Sequence, residues 1–157
     1  MEPRFILDAN VGGLAKWLRA MGYDAAFIPD VDDGELLRIA IAQDRCVVTR
    51  DRLILERRVV VKGPVKAVLA TSDDPMSQLR QLAKTLDLSL DMDFSRCIEC
   101  NAALSLVDKP SVVGRVPPFV FSTQDRFHEC LVCTRVYWRG THWRNMRREL
   151  ATLAKGS

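Results

Sequence analysis

The sequence predicts an α/β fold with a largely parallel central sheet, followed by a small cysteine-rich ribbon. Three observations carry that prediction. Short apolar runs alternate with segments of helical period from Phe5 to Leu86, the order expected of strands joined by crossover helices. Several of the strand-like runs stop at an aspartate. Composition then changes, and four of the five cysteines fall beyond residue 95 as two Cys-x-x-Cys pairs with 29 residues between them. The expected division is 1–94 for the sheet domain and 95–157 for the ribbon with a basic C-terminal segment.

Phe5-Ile6-Leu7 is a buried strand ended by Asp8. Asn10 is placed to cap the next helix, in which Leu14, Ala15, Trp17, Leu18 and Met21 share a face, Lys16 and Arg19 lie outside, and Gly22 closes the last turn. Gly12-Gly13 lowers helix propensity there but permits close approach of a backbone or substrate beside Asp8. A second strand, Asp24 to Ile28, stops at Pro29-Asp30. Asp33 is available as the cap of a helix through Leu36, Leu37, Ile39, Ala40 and Ile41.

Cys46-Val47-Val48-Thr49 is a β-branched strand followed by Arg50-Asp51-Arg52 and a short helix from Leu53 to Arg57. Val59-Val60-Val61 and Val65 to Ala70 read as two more strands. Asp73-Asp74-Pro75 caps a helix with Met76, Leu79, Leu82, Ala83 and Leu86 on one face, and a polar connector runs from Asp87 to Ser95. Beyond it, Val112 to Phe121 is expected to supply strands of the ribbon.

The chain has 157 residues, of which 48% are hydrophobic and 27% charged, enough to bury a core and too apolar for disorder. No apolar run approaches the roughly 20 residues of a membrane span, and Met-Glu-Pro-Arg is not a secretory signal, so a cytoplasmic location is expected. The net charge of +3 is uneven. Residues 1–95 hold 13 Lys and Arg against 15 Asp and Glu, whereas residues 96–157 hold 10 against 5. A basic segment beside an acidic crevice suits a polyanion gripped by one part and cut by the other, although five excess charges are equally compatible with a solvated surface.

Parallel strands bring their carboxyl ends to one edge, where ligands bind. Asp8 and Asp51 then face one crevice, and two carboxylates without a basic partner call for a cation. Oxygen donors favour magnesium or manganese over zinc. Cys97, Cys100, Cys130 and Cys133 supply four thiolates, the composition of a closed structural zinc site; two disulfides are the competing reading, disfavoured where thiols stay reduced. With that shell full, His128 and His142 are not needed as ligands, and Cys46 is a small buried hydrophobe. From Arg135 to Arg148, Tyr137, Trp138 and Trp143 interleave with five arginines, an arrangement that stacks bases and grips phosphates or simply packs the ribbon under solvated arginines.

Phe5 to Asp8, Gly13 to Arg19, Gly22-Tyr23-Asp24, Asp33 to Leu37 and Thr49 to Arg52 resemble the C-terminal RNase domain of Mut-seven proteins, a PIN-like nuclease group. Ser95-Arg96-Cys97 with Cys100-Asn101, and Cys130 with Cys133 before Val136-Tyr137-Trp138, Gly140 and His142-Trp143, resemble the zinc ribbon fused to such domains. The resemblance spans nearly the whole chain. It implies a PIN-like three-layer fold and a Mg- or Mn-dependent ribonuclease, more readily an endonuclease, acting on single-stranded or tRNA-like RNA. It matches Asp8, Asp33 and Asp51 to the acidic motif as catalytic metal ligands, with Asp74 and its neighbour Asp73 as weaker fourth candidates. Asn10, Arg19 and Arg52 are the candidates for holding the phosphate, and Trp138, His142 and Trp143 those for holding RNA through the ribbon. Ala9-Asn10-Val11-Gly12 departs from the family's Asp-Gly-Met-Leu-Gly form. The alternative is a non-catalytic RNA- or protein-binding module of the same fold with a regulatory role.

Overall fold

A computed structural model describes residues 2–93 and 95–156. Four parallel strands form the central sheet: β1 (Phe5–Leu7), β2 (Ala25–Phe27), β3 (Cys46–Thr49) and β4 (Ala67–Leu69), in spatial order β2-β1-β3-β4. Between β1 and β2 the chain makes a 3-10 turn, Ala9–Leu14, and then helix α1, Ala15–Ala20. Helix α2 (Asp33–Gln43) leads into β3, and short helices α3 (Arg52–Leu55) and α4 (Arg58–Val61) make the crossover to β4. Helix α5 (Pro75–Leu86) follows.

The central strands are apolar on both faces because helices cover both. One layer packs Leu14, Trp17, Leu18, Leu79 and Leu82 against Phe5, Leu7 and Val48. The other packs Leu36, Leu37, Ala40, Ile54 and Val65 against Ile6 and Val47. Alternate residues of each strand thus serve opposite layers, as the pleat requires.

The second sheet is antiparallel, β5 (Leu104–Val107), β6 (Phe127–Cys130) and β7 (Val136–Tyr137), with β6 in the middle. Helix α6 (Pro118–Thr123) lies between β5 and β6, and helix α7 (Thr141–Lys155) ends the chain. Met146, Leu150 and Leu153 of α7 join the core of the first sheet, so the basic C-terminal segment is anchored on that sheet's helices as well as on the ribbon.

Several expectations change. Val59-Val60-Val61 is helical: returning from the end of β3 to the start of β4 needs a crossover, and α4 turns Val59 and Val60 onto the Ile54 and Val65 layer while Val61 stays exposed. Val112 to Phe121 forms no strand. Pro110 sits in a 3-10 turn, Lys109–Val112, and Pro118 opens α6, positions where a fixed φ and a missing N–H suit a helical first turn. Leu88, Leu90 and Met92 of the polar connector pack at alternate positions on the main core. Gly22, at φ 93°, does close α1 in the left-handed region.

Candidate functional site: an acidic sheet edge and a four-cysteine shell

All four strands point the same way, so the residues after them share one edge. Asp8 directly follows β1, Asp33 opens the helix after β2, Asp51 follows β3 and Asp74 caps the helix after β4. The strand order places β1 and β3 side by side where the winding reverses direction, which is where open α/β sheets form their ligand crevice. Asp8 and Asp51 leave those two strands.

Local hydrogen bonds fix each carboxylate differently. Asp8 is buried; its Oδ1 accepts from the Ala9 N–H at 2.9 Å and its Oδ2 from the Thr49 hydroxyl at 2.7 Å. Thr49 Oγ1 in turn accepts from the Asp51 N–H at 3.0 Å, so one fully buried hydroxyl sets the spacing of two acidic residues. Asp51 Oδ1 caps α3 through the Leu53 N–H at 2.9 Å. Asp8, and not Asn10, caps the 3-10 turn; Asn10 Oδ1 instead accepts from the Arg50 N–H at 3.1 Å and ties the β1 and β3 loops together.

Asp33 is likewise relieved of the capping role expected of it. Asp32 performs it, accepting from the Glu35 N–H at 2.8 Å, which leaves the Asp33 carboxylate to the crevice. Burial pushes the Asp33 carboxyl above its ordinary range, the negative charges of Asp8 and Asp51 push it further, and Arg57 opposes them. Neighbouring carboxylates shift one another in this direction, but the three are not drawn within 4.8 Å of one another as the cysteine sulfurs are. Thr49 and Arg57 are the edge residues that the sequence reading did not single out. A β-branched hydroxyl at a strand end before Arg-Asp was the available signal for Thr49; Arg57 carried none.

Asp74 lies on the outer strand's side of this edge, exposed, with Oδ2 taken by the Ser77 N–H at 3.0 Å and the Ser77 hydroxyl at 2.9 Å. Arg52 is exposed at the start of α3 beside Asp51. Arg19 is elsewhere. Instead of facing outward it is 7% exposed, and it donates through Nε to the Ala25 carbonyl at 2.9 Å and through Nη1 to the Ile98 and Glu99 carbonyls at 3.0 and 3.2 Å. Its guanidinium serves as a strut between strand β2 and the loop of the first cysteine pair. Gly12 is needed because a Cβ there would meet the Phe27 ring at 2.9 Å, so the close approach beside Asp8 is made by the protein itself.

The sulfur atoms of Cys97, Cys100, Cys130 and Cys133 all lie within 4.8 Å of one another, and among the described residues they form the one metal-type cluster so tightly drawn. The four thiols are free, with the shortest approaches running between the two pairs rather than within them. The Arg135 backbone N–H lowers the Cys133 thiol to about 6, which favours the thiolate that a metal needs. The Tyr137 hydroxyl lies 2.9 Å from Cys97 Sγ, an outer-shell contact. Four sulfurs converging in this way suit tetrahedral zinc and leave no position for a reacting water. Cys46 stands apart, buried, its thiol pushed up to about 11 by desolvation.

Trp138, His142 and Trp143 gather around a cavity between the ribbon, α7 and the end of α1. Arg139 and Arg147 lie over the Trp143 ring at 5.0 and 5.5 Å from its centre. No helix among the described residues is long and apolar enough to cross a membrane.

A doubly wound parallel sheet with aspartates after its strands, continued by a small antiparallel sheet with four clustered cysteines, defines an α/β protein with an extension compatible with a zinc ribbon. The family described as Mut7-C RNAse domain matches residues 3–150, and the chain belongs to it. No curated protein and no solved structure matches the chain.

Proposed function

We propose that this protein is a metal-dependent ribonuclease that hydrolyses internal phosphodiester bonds of RNA at Asp8, Asp33 and Asp51. The observation that carries the reading is the placement of Asp8, Asp33 and Asp51 after three neighbouring parallel strands, at the edge where the winding of the sheet reverses; the raised Asp33 carboxyl, pushed up by burial and then by the charges of Asp8 and Asp51, agrees with it. Charges that repel one another in the free protein are what a divalent cation relieves, and an all-oxygen donor set fits magnesium or manganese. When bound, such a cation supplies an activated water and charge stabilisation at the phosphate.

The chain's own residues do the positioning. Thr49 orients Asp8 and the Asp51 backbone together, Asn10 holds the Arg50 amide, and exposed Arg52 and Arg57 flank the acidic edge with cationic charge suited to a phosphate. Asp74 serves chiefly its helix. The ribbon, loaded with zinc, supports RNA binding through the basic face of α7. Single-stranded or tRNA-like RNA is the proposed substrate and the cytoplasm the proposed location. The proposed division of labour follows the 1–94 and 95–157 segments, with α7 spanning both.

The test is cleavage of a labelled circular RNA and of folded tRNA with magnesium or manganese, comparing wild type with Asp8→Asn and Asp51→Asn. Metal-dependent opening of the circle that disappears in both variants supports an internal cut at these carboxylates. RNA binding without cleavage, equal in wild type and variants, would refute the nuclease reading and favour a non-catalytic binding module.

A further inference from the structure

The junction of ribbon, α7 and α1 encloses a cavity of about 440 Å³. Its walls are apolar and aromatic: Ile98, Leu104, Tyr137, Trp138, Trp143 and Met146. One charge of each sign also lines it: Asp93, whose Oδ2 accepts from the Ser95 hydroxyl at 3.1 Å, and Arg96, with Nη1 donating to the Asn101 carbonyl at 2.9 Å and Nε buried without a partner among the described residues. That size and lining are those of a small-molecule or base site, where a few polar groups orient a flat apolar guest.

Charge identifies the guest. Residues 96–134 carry four basic and four acidic side chains, whereas residues 135–155 carry six basic and one acidic, so the whole positive excess of this half lies in the segment that supplies Tyr137, Trp138, Trp143 and Met146 to the cavity. Arg139, Arg144 and Arg147 are exposed there, and none forms an ion pair among the described residues. An aromatic chamber with exposed arginines beside it, two of them stacked on Trp143 and none neutralised by a carboxylate among the described residues, complements a polyanion that carries flat bases. Bases enter such a chamber only when they are unpaired.

We infer that this cavity receives one extruded base of a single-stranded RNA segment while Arg139, Arg144 and Arg147 take the neighbouring phosphates. This rests on RNA being the substrate, and it adds a second anchoring point to the proposed cleavage edge. The cavity borders Ala20, at the end of α1, whereas Asp8 stands before the 3-10 turn that leads into that helix. Twelve residues of 3-10 turn and helix separate them, at most roughly 20 Å of rise. The bound base therefore lies within a few nucleotides of the proposed cut and sets its register.

Tryptophan fluorescence reads the site directly, because Trp138 and Trp143 line the cavity and the remaining tryptophan, Trp17, is in the core. Zinc-loaded full-length protein, without magnesium or manganese so that no cleavage intervenes, is titrated with three probes of equal length. These are a single-stranded oligoribonucleotide, the same chain with every base removed, and a blunt RNA duplex. The expected result is quenching and tight binding for the first probe, with about tenfold or greater loss for the abasic chain, as stacking of one base predicts. The duplex should bind weakly and leave the tryptophans unquenched. Leu104→Phe, which fills the cavity, should reduce the single-strand affinity to that of the abasic chain, and Arg144→Gln should weaken all three probes alike.

Equal affinity for intact and abasic chains, or for duplex and single strand, would overturn the inference, whatever the variants do. Cleavage is scored separately with magnesium or manganese. Metal-dependent cleavage together with base-insensitive binding removes the base site alone, and base-sensitive binding without cleavage removes the nuclease reading alone.

Discussion

Replacing Arg19 with alanine separates a structural strut from a substrate ligand. The guanidinium makes three hydrogen bonds to carbonyl oxygens: Ala25 on the outermost strand β2, and Ile98 and Glu99 between the first two cysteines. Burial pulls its pKa down, and the nearby Cys100 and Cys97 sulfurs oppose that pull. Arg19→Ala leaves three carbonyls facing a gap that only partly hydrates, a loss of about 3 kcal/mol when water offsets part of each bond. For a chain of this length that lowers the unfolding midpoint by about 10 °C. Arg19→Lys, with a point charge in place of a planar fork, should recover less than half of the loss. The assay is thermal unfolding of zinc-loaded protein by circular dichroism, together with RNA cleavage well below both midpoints. Cleavage should survive in the folded Arg19→Ala protein. A midpoint within about 2 °C of wild type would refute the strut, and lost cleavage in an otherwise intact fold would return Arg19 to the phosphate.

Thr49→Val keeps the shape but removes the donor to Asp8 and the acceptor for the Asp51 N–H; it should cost about 1–3 kcal/mol and blunt the stabilisation that manganese gives, read as the rise of the unfolding midpoint on titration. Asp33 sets a pH dependence opposite in sign to that of a salt-bridged carboxylate. Because its folded pKa is raised above the unfolded one, its stabilising share is present below the unfolded pKa and is lost as pH rises through the folded value. Without divalent cations, Asp33→Asn should therefore be more stable than wild type at neutral pH, with the gap closing as pH falls toward about 4; a gap that widens on acidification refutes the clustering. Cys100→Ser should lose the single equivalent of zinc, measured by metal analysis, and lower the unfolding midpoint, while Asp8→Asn should retain zinc in full.

The parallel sheet and the cysteine shell were legible because each leaves a periodic trace: apolar runs ending in aspartate for the first, paired cysteines for the second. Where the reading failed, neighbours decided. Val59-Val60-Val61 has strand composition, but a parallel crossover needs a compact return path, and no local rule encodes that. Asp32 and Asp33 are interchangeable as caps by residue type; only the backbone shows that Asp32 bonds the Glu35 amide and frees Asp33. Arg19 sat at an outward position of an ideal helix, yet α1 is covered on that side by the Cys97–Cys100 loop, a contact some eighty residues away in sequence. Helix α7 went unread beneath its arginines, although Met146, Leu150 and Leu153 repeat at helical spacing.

The same long-range contacts tie the acidic and basic halves of the chain together. Strand β2 pairs only with β1, so the outward N–H and C=O of Ala25 need partners. Asn101 Oδ1 accepts from that N–H at 3.0 Å and Arg19 donates to that carbonyl, which closes the sheet edge with the first cysteine loop. Asn101 holds a left-handed backbone, φ 71°, a conformation asparagine tolerates well, and its amide also donates to Asp24 at 2.6 Å. Asp24 is shared with Arg45 at 2.7 Å, at the start of β3. The first cysteine loop, which carries Asn101, is thus tied through Ala25 and Asp24 to β2 and to the start of β3, the strands that lead on to Asp33 and Asp51. At the other side α7 packs on the core by Met146, Leu150 and Leu153 and presents its arginines outward. The two halves of the chain therefore meet in two places, at the edge strand β2 through Asn101 and Arg19 and at the helix layer through α7.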